Sequence, residues 1–143
     1  MFIIEPYFNS RYERYGYKQL FNYLDSQRVY DQIVISNKID GSHQYIHYLY
    51  FGKINPTYYS NNVKRTRFAD GWINLEYIGN YKFTNSAAGI ELIPKKSLLV
   101  VGENEVSFTV GPIFVIDDLR GDRLFEVYDV DQVKKSLEET AEN

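Results

Sequence analysis

The sequence predicts an α/β fold: a small layered sheet with flanking helices and a C-terminal β-hairpin region. An amphipathic stretch is followed closely by the β-branched run Ile33-Val34-Ile35, and the two together are typical of the αβ unit of a layered domain. The last third holds short apolar runs around a turn rich in Asp and Gly, a pattern typical of a hairpin. The chain length of 143 residues also fits a single soluble domain over residues 1–143 that buries its own core.

The first predicted helix runs from Arg14 to Gln27, after an irregular lead-in over residues 1–13. Its apolar side chains recur at intervals of three and four residues, which places them on one stripe of the helix. A strand over Tyr30–Ser36 follows, and its consecutive apolar residues indicate a strand that is covered on both faces. The stripe of the helix consists of Tyr17, Leu20, Phe21 and Leu24.

The middle of the chain predicts two shorter helices and a loop. A turn at Asp40-Gly41-Ser42 can cap a helix over residues 43–52. Pro56 suits the first position of a short helical turn that extends through Tyr59. The segment 60–74 is polar, so we expect it to form a solvated loop.

The C-terminal half predicts short strands and a closing helix. A strand over Leu75–Thr84 is interrupted at Gly79-Asn80, and a turn over Asp117–Asp122 joins the last two strands. A helix over Val130–Leu137 follows, and we expect residues 138–143 to be frayed. The other β-rich runs are Ser97–Val101, Val106–Val110, Ile113–Ile116 and Leu124–Tyr128.

Composition and charge exclude several classes of protein. The net charge of −3 argues against nucleic acid as a partner, because binding to phosphates needs clustered positive charge. The absence of cysteine excludes disulfides, thiolate metal sites and a thiol nucleophile. The longest apolar runs are four residues, as in Leu98–Val101, so the sequence predicts no transmembrane helix.

Aromatic residues are the unusual component, with 14 tyrosines, 9 phenylalanines and one tryptophan. A tyrosine has an apolar ring and a polar tip, which suits contact with carbohydrate or a membrane boundary but also suits a padded core. The densest stretch runs from Tyr45 to Tyr59, where a stacking platform for a sugar and a helix packed on the sheet are both open interpretations. The candidate contacts with a ligand or with a membrane-embedded part are Tyr45, Tyr48, Asn55, Tyr58, Tyr59 and Trp72.

A local basic cluster falls in the predicted loop. Lys64, Arg65 and Arg67 lie close to Trp72, and together they are candidates for contact with an anionic surface such as lipid headgroups. The alternative is a set of solvated charges without a ligand.

No catalytic residue, metal site or cofactor follows from the motifs. His43 and His47 have the helical spacing of a metal pair, but Gln44 stands where a metallopeptidase needs its Glu, and only Asp40 is a nearby third ligand. If the two histidines bind a metal, together with the nearby aspartates they indicate a small metal-dependent hydrolase. The alternative is a pair of histidines on the helix surface or at an interface, without a ligand. The sequence contains no glycine-rich phosphate loop and no Gly-x-Ser-x-Gly elbow.

Several short motifs follow one another in a characteristic order. A helix opens at Tyr15-Gly16, and a late Asp-rich turn leads into Leu124-Phe125-x-Val127-Tyr128. Between them come Tyr30-Asp31-x-Ile33-x-Ile35-Ser36, Tyr45-Ile46-x-x-x-Leu49-Tyr50-Phe51, Asn55-Pro56-x-x-Tyr59 and Gly79-x-Tyr81-x-Phe83. Over residues 5–129 this series resembles the C-terminal extracytoplasmic domain of polytopic glycosyltransferases similar to dolichyl-phosphate-mannose protein mannosyltransferases and aminoarabinose lipid A transferases. Asn55 departs from the Asp usual before the proline, and Ser60 from the Gln that often follows the tyrosine.

The resemblance implies a non-catalytic domain of a multi-pass membrane protein. Membrane helices would precede Phe2, and the parent would transfer a sugar from a polyprenyl-phosphate carrier at the extracytoplasmic face of the cell membrane. The domain itself would assist acceptor binding or order the active-site loops. The catalytic residues of that family lie in the membrane part, so none transfers to this sequence. Its implied partners are the transmembrane portion of its own parent chain and a glycan acceptor. A free-standing module that binds carbohydrate or protein is the alternative, and the reading frame upstream of Phe2 discriminates the two.

Overall fold

The computed structural model describes residues 16–39, 44–67, 69, 73–84 and 89–142. The predicted lead-in over residues 1–13, the turn at residues 40–42, His43 and Trp72 lie outside this part of the chain. The described helices are α1 (Tyr17–Ser26), α2 (Gln44–Phe51), α3 (Pro56–Asn62) and α4 (Val130–Ala141), with a 3₁₀ turn at Ile90–Leu92. The described strands are β1 (Gln32–Ser36), β2 (Val63–Arg67), β3 (Ile73–Ile78), β4 (Tyr81–Thr84), β5 (Ser97–Val101), β6 (Phe114–Asp117) and β7 (Arg123–Asp129).

The seven strands form one mixed sheet in the order β2-β3-β4-β1-β5-β7-β6. The central strand β1 pairs in parallel with both β4 and β5. The outer pairs β2–β3, β3–β4, β5–β7 and β6–β7 are antiparallel. The predicted α/β class and the C-terminal hairpin, formed by β6 and β7, are confirmed.

The two faces of the sheet are buried by different side chains. On one face, α1 and α2 cover a cluster rich in rings, which we call the aromatic layer; its ring residues are Tyr17, Phe21, Tyr48, Tyr81, Phe83 and Phe125. On the other face, α4 and the 3₁₀ turn cover what we call the aliphatic layer, formed by Val34, Ile90, Ile93, Leu99, Val101, Tyr128, Val130 and Val133. Alternation along β1 explains the division, because Ile33 and Ile35 enter the first cluster and Val34 enters the second.

The hairpin turn is held by a buried carboxylate. Asp118 accepts hydrogen bonds from the backbone N–H of Arg120 at 2.8 Å and of Asp122 at 3.0 Å. Burial of this carboxylate raises its pKa, but these N–H groups and the Arg120 guanidinium outweigh that effect, so the pKa of Asp118 lies below its ordinary value. The aspartates of this loop therefore serve the turn, as the sequence predicts.

Three segments differ from the sequence prediction. Val63–Arg67 was expected in a loop but forms an edge strand, because pairing with β3 stabilises a run that is too polar to be recognised as a strand. Val106–Val110 was expected as a β-rich run but forms no strand. Its alternate apolar residues pack on the aliphatic layer instead, which satisfies the pattern without a strand partner. The closing helix also extends to Ala141, beyond the predicted Leu137.

Candidate functional site

A polar cleft lies at the amino-terminal ends of the parallel strands β1 and β4. It has a volume of about 480 Å³ and is formed where the last turn of α1 approaches the first residues of these strands. The backbone N–H of Ile33 donates to the carbonyl of Asn80 at 2.9 Å, which fixes the β3–β4 turn beside β1. The side chains that give the cleft its chemistry are Asp25, Arg28, Tyr30, Tyr48, Asn80 and Tyr81.

Asp25 and Tyr81 form the central polar contact of this cleft. The Tyr81 hydroxyl donates to Oδ1 of Asp25 at 3.0 Å. Burial of Tyr81, which is 3% exposed, raises its pKa strongly, and the negative charge of Asp25 raises it further. Asp25 itself is exposed, so its carboxylate retains accepting capacity toward a ligand in the cleft.

Tyr48, a predicted ligand contact, forms a wall of the cleft. Its ring is 5% exposed and lies 4.1 Å from the ring of Tyr81, centroid to centroid. Burial raises the pKa of Tyr48, and nearby Tyr58 and Asp25 raise it further. Because Tyr81 occupies the face of this ring, Tyr48 does not offer an open stacking surface.

Tyr58, another predicted contact, lies beside the rim. Its hydroxyl stands over the Cα of Gly79, where any β-carbon would collide with it. Gly79 has φ +57° in the β3–β4 turn, a conformation that favours glycine. Tyr58 is 43% exposed, so its ring is accessible next to Asn80.

The remaining predicted contacts have other surroundings. The Asn55 side chain caps α3 by accepting a hydrogen bond from the N–H of Thr57 at 2.7 Å. Tyr59 is partly buried against the aromatic layer. Tyr45 occupies a position in α2, but its side chain, like that of His47, lies outside the described part, as does all of Trp72.

The three predicted basic residues do not lie on one surface. Glu76 contacts both Lys64 and Thr66, which places these two side chains on one side of β2, and Arg65 and Arg67 alternate with them. Lys64 forms an ion pair with Glu76 at 2.9 Å. The hydrogen bond with Glu76 raises the pKa of Lys64 and lowers that of Glu76. Contact of these three residues with an anionic surface stays a prediction, and a single flat surface would not meet all three charges from one side of the sheet.

Tyr30 connects the mouth of the cleft to the opposite layer. Its hydroxyl donates to Oδ2 of Asp129 at 2.7 Å, and Oδ1 of the same carboxylate accepts from the N–H of Gln132 and caps α4. Burial, followed by the bond and charge of Asp129, raises the pKa of Tyr30 to about 12. The aromatic side of the sheet is thus tied to the helix that covers its other side.

Sequence reasoning missed most of this site. Asp25, Arg28, Tyr30, Asn80 and Tyr81 were not among its candidates, although Tyr81 lies in the strand predicted over Leu75–Thr84. The Asp25–Tyr81 bond joins positions 56 residues apart, and neither residue has a local motif that indicates the other. Chemically, the cleft combines a carboxylate acceptor, guanidinium and amide donors and phenol hydroxyls, which together suit a neutral ligand rich in hydroxyl groups.

Comparison of the chain with protein-family models, with curated proteins and with solved structures finds no match. Within the described ranges, no three His, Asp or Glu side chains come together as potential metal ligands. Likewise, none of the described helices combines the length and the apolar character that a membrane span requires.

Proposed function

We propose that this chain is a non-catalytic, saccharide-contacting domain of a multi-pass membrane glycosyltransferase that uses a polyprenyl-phosphate-linked sugar. In this role it works at the extracytoplasmic face of the cell membrane and holds part of the acceptor near the active site in the transmembrane portion of its parent chain. The observation that carries the saccharide contact is the tyrosine-lined polar cleft. The motif series over residues 5–129 supports the membrane parent.

The cleft has the size and chemistry that recognition of a sugar ring requires. Its volume of about 480 Å³ falls within the range of ligand sites, which is roughly 300–1,000 Å³. Sugar hydroxyls both donate and accept hydrogen bonds, so they can donate to Asp25 and accept from Arg28 and Asn80. Tyr30 is the partly exposed ring of the cleft, so it supplies the apolar surface against which a C–H face of a sugar can pack.

A free-standing carbohydrate-binding module is the second candidate, because the same cleft supports it. The two candidates differ in what precedes the domain in the gene. A reading frame that continues upstream of Phe2 through hydrophobic spans supports the glycosyltransferase, whereas a gene that begins at Met1 supports the free-standing module.

Saccharide binding is tested by titrating the ¹⁵N-labelled chain with neutral mono- and disaccharides and following the amide shifts. We expect shifts centred on Asp25, Tyr30 and Asn80. Asp25→Asn keeps an acceptor for the Tyr81 hydroxyl but removes the charge, so we expect the fold to persist and the affinity to fall by roughly tenfold, the loss of a charge-assisted hydrogen bond.

Asp122→Asn is the matched control, because it removes one exposed carboxylate in the hairpin turn, away from the cleft. It should leave saccharide affinity unchanged. Equal saccharide affinities for the unsubstituted chain and Asp25→Asn, or amide shifts confined to the hairpin, would exclude the cleft as the saccharide site.

A further inference from the structure

We propose that a second site, in the groove between α1 and α2, binds a phosphate group. The groove has a volume of about 520 Å³ and lies on the outer side of the two helices that cover the aromatic layer. It does not depend on the saccharide cleft, since the two sites share no lining residue. Its lining consists of Lys18, Asn22, Tyr50, Phe51 and Lys53.

The charge of this groove matches a phosphate. Two lysines and the amide of Asn22 provide hydrogen-bond donors, and among the described residues no carboxylate lines the groove. Among the described residues neither Lys18 nor Lys53 forms an ion pair, although the chain as a whole has a net charge of −3. Two unpaired positive charges complement the charge of about −1.5 to −2 that a phosphate monoester has at pH 7.

Lys18 stands where helix electrostatics alone disfavour a cation. It lies in the first turn of α1, which contains no acidic residue. The N-terminal turn of a helix has a partial positive charge, so a carboxylate there is favoured and a lysine is not. The same partial charge adds to that of Lys18 in attracting an anion. A ligand therefore gives this lysine a favourable role that the isolated helix does not.

Lys53 has a backbone conformation that usually selects glycine. Its φ is +49°. At this end of α2 the N–H of Gly52 donates to the carbonyl of Tyr48 at 2.8 Å, and the N–H of Ile54 donates to the carbonyl of Leu49 at 3.4 Å. Glycine is the common residue in this type of helix end because it has no β-carbon. A lysine here keeps a charge at the rim of the groove at the expense of backbone strain.

Tyr50 gives the groove an apolar side. Its ring is 65% exposed and meets Phe51 edge to face at 4.9 Å. A phosphate attached to an apolar or ring-bearing group can therefore use the lysines and this aromatic surface together. That chemistry is shared by a soluble phosphorylated metabolite and by a lipid headgroup.

The first experiment titrates the ¹⁵N-labelled chain with inorganic phosphate. We expect saturable shifts at Lys18, Asn22 and Lys53. Lys53→Gly removes the charge and relieves the backbone strain, so we expect a higher midpoint of thermal unfolding together with an affinity for phosphate that falls at least fivefold. If Lys53 has only a structural role, Lys53→Gly should raise the midpoint of thermal unfolding and leave the affinity for phosphate unchanged.

Lys96→Gly is the matched control, since Lys96 is exposed and has φ +57° outside the groove. We expect it to raise thermal stability in the same way and to leave phosphate affinity unchanged. Equal phosphate affinities for the unsubstituted chain and Lys53→Gly, or amide shifts that do not saturate and spread over all lysines, would overturn the proposal.

A second experiment identifies the source of the phosphate. The chain is sedimented with phosphatidylcholine vesicles that contain or lack phosphatidic acid. Co-sedimentation that needs phosphatidic acid and is lost in Lys53→Gly assigns the site to a headgroup, and binding of inorganic phosphate without co-sedimentation assigns it to a soluble ligand. Failure in both arms refutes the groove as a phosphate site but leaves the saccharide cleft untouched, because that test uses neutral sugars.

Discussion

The two faces of the sheet are closed by different side chains. The aliphatic layer consists of branched side chains with a single ring, Tyr128, whose hydroxyl donates to Glu126 at 2.5 Å. The aromatic layer is built from tyrosine and phenylalanine rings under α1 and α2. Both candidate sites, the saccharide cleft and the phosphate groove, lie on this aromatic side.

The difference shows what tyrosine does in a small core. A valine or isoleucine can be covered completely, but a tyrosine hydroxyl needs a hydrogen-bond partner. Tyr81 finds this partner in Asp25 at the end of α1, and so the layer ends in polar groups rather than in a sealed edge. The abundance of tyrosine thus serves packing and provides the polar groups of the cleft at the same time.

The largest effect that can test this comparison is truncation of a ring. Phe21 is 1% exposed and packs against Tyr48 and Tyr81, with centroids at 5.4 and 6.3 Å. We expect Phe21→Ala to lower the free energy of unfolding by about 3–5 kcal/mol, because it leaves a cavity that stiff rings cannot fill. Val133→Ala in the aliphatic layer should lower it by only about 1–2 kcal/mol. Urea unfolding measures both, and equal losses would show that the two layers are energetically alike.

A smaller effect is expected at the rim of the cleft. Gly79→Ala introduces a β-carbon at φ +57° and against the Tyr58 hydroxyl, so we expect a loss of about 1–2 kcal/mol and displacement of the Tyr58 ring. Gly121→Ala is the control, since Gly121 has φ +87° with no atom within 4 Å of an added β-carbon. Unfolding measures the backbone cost in both variants, and only Gly79→Ala should shift the Tyr58 ring signals. Unchanged Tyr58 signals would contradict the packing of this ring over the turn.

The smallest effect concerns the bond that joins the two sides of the sheet. The pKa of Tyr30 is raised from 10.0 to about 12, so this phenol stabilises the fold fully below about pH 10, and the contribution is lost as the pH rises through 12. Tyr30→Phe should cost about 1 kcal/mol at neutral pH, the value of one hydrogen bond. The difference in the free energy of unfolding between the unsubstituted chain and Tyr30→Phe should then narrow between pH 10 and 12. A constant difference over that range would mean that Tyr30 does not bind Asp129 in solution.

The sequence predicted those parts of the fold in which burial leaves a periodic signal. The continuous apolar run of β1 correctly indicated a strand covered on both faces, the β-rich run at Ser97–Val101 forms β5, and the stripe of α1 is buried as expected. The edge strand β2 was missed because four of its five side chains are exposed and polar, which is also how a loop looks. Exposed charges on an edge strand prevent its pairing with other chains, but they also remove the alternation of apolar and polar residues by which a strand is recognised in a sequence.

The candidate site could be predicted only in part. Of the aromatic residues predicted as contacts, Tyr48 and Tyr58 border the proposed cleft and its rim, and their contact with a ligand stays a prediction. Asp25 and Arg28 lie in an ordinary polar helix end, and nothing in the neighbouring sequence indicates that β4 will bring Tyr81 to them. Such contacts depend on the strand order of the sheet, which short-range patterns do not encode. Contact of the other predicted aromatic and polar residues with a saccharide stays a prediction, as does contact of the three basic residues with lipid headgroups.

The central position of β1 constrains how the domain can assemble during translation. β1 is the earliest strand of the described chain to be synthesised, yet its two neighbours follow only at Tyr81–Thr84 and Ser97–Val100. Parallel strands cannot be joined by a tight turn, so the intervening chain must be made before either edge of β1 is hydrogen-bonded. A nascent chain that stops short of β5 presents an apolar strand with an open edge, which is a site for aggregation or chaperone capture. Late closure of the sheet is therefore built into its topology.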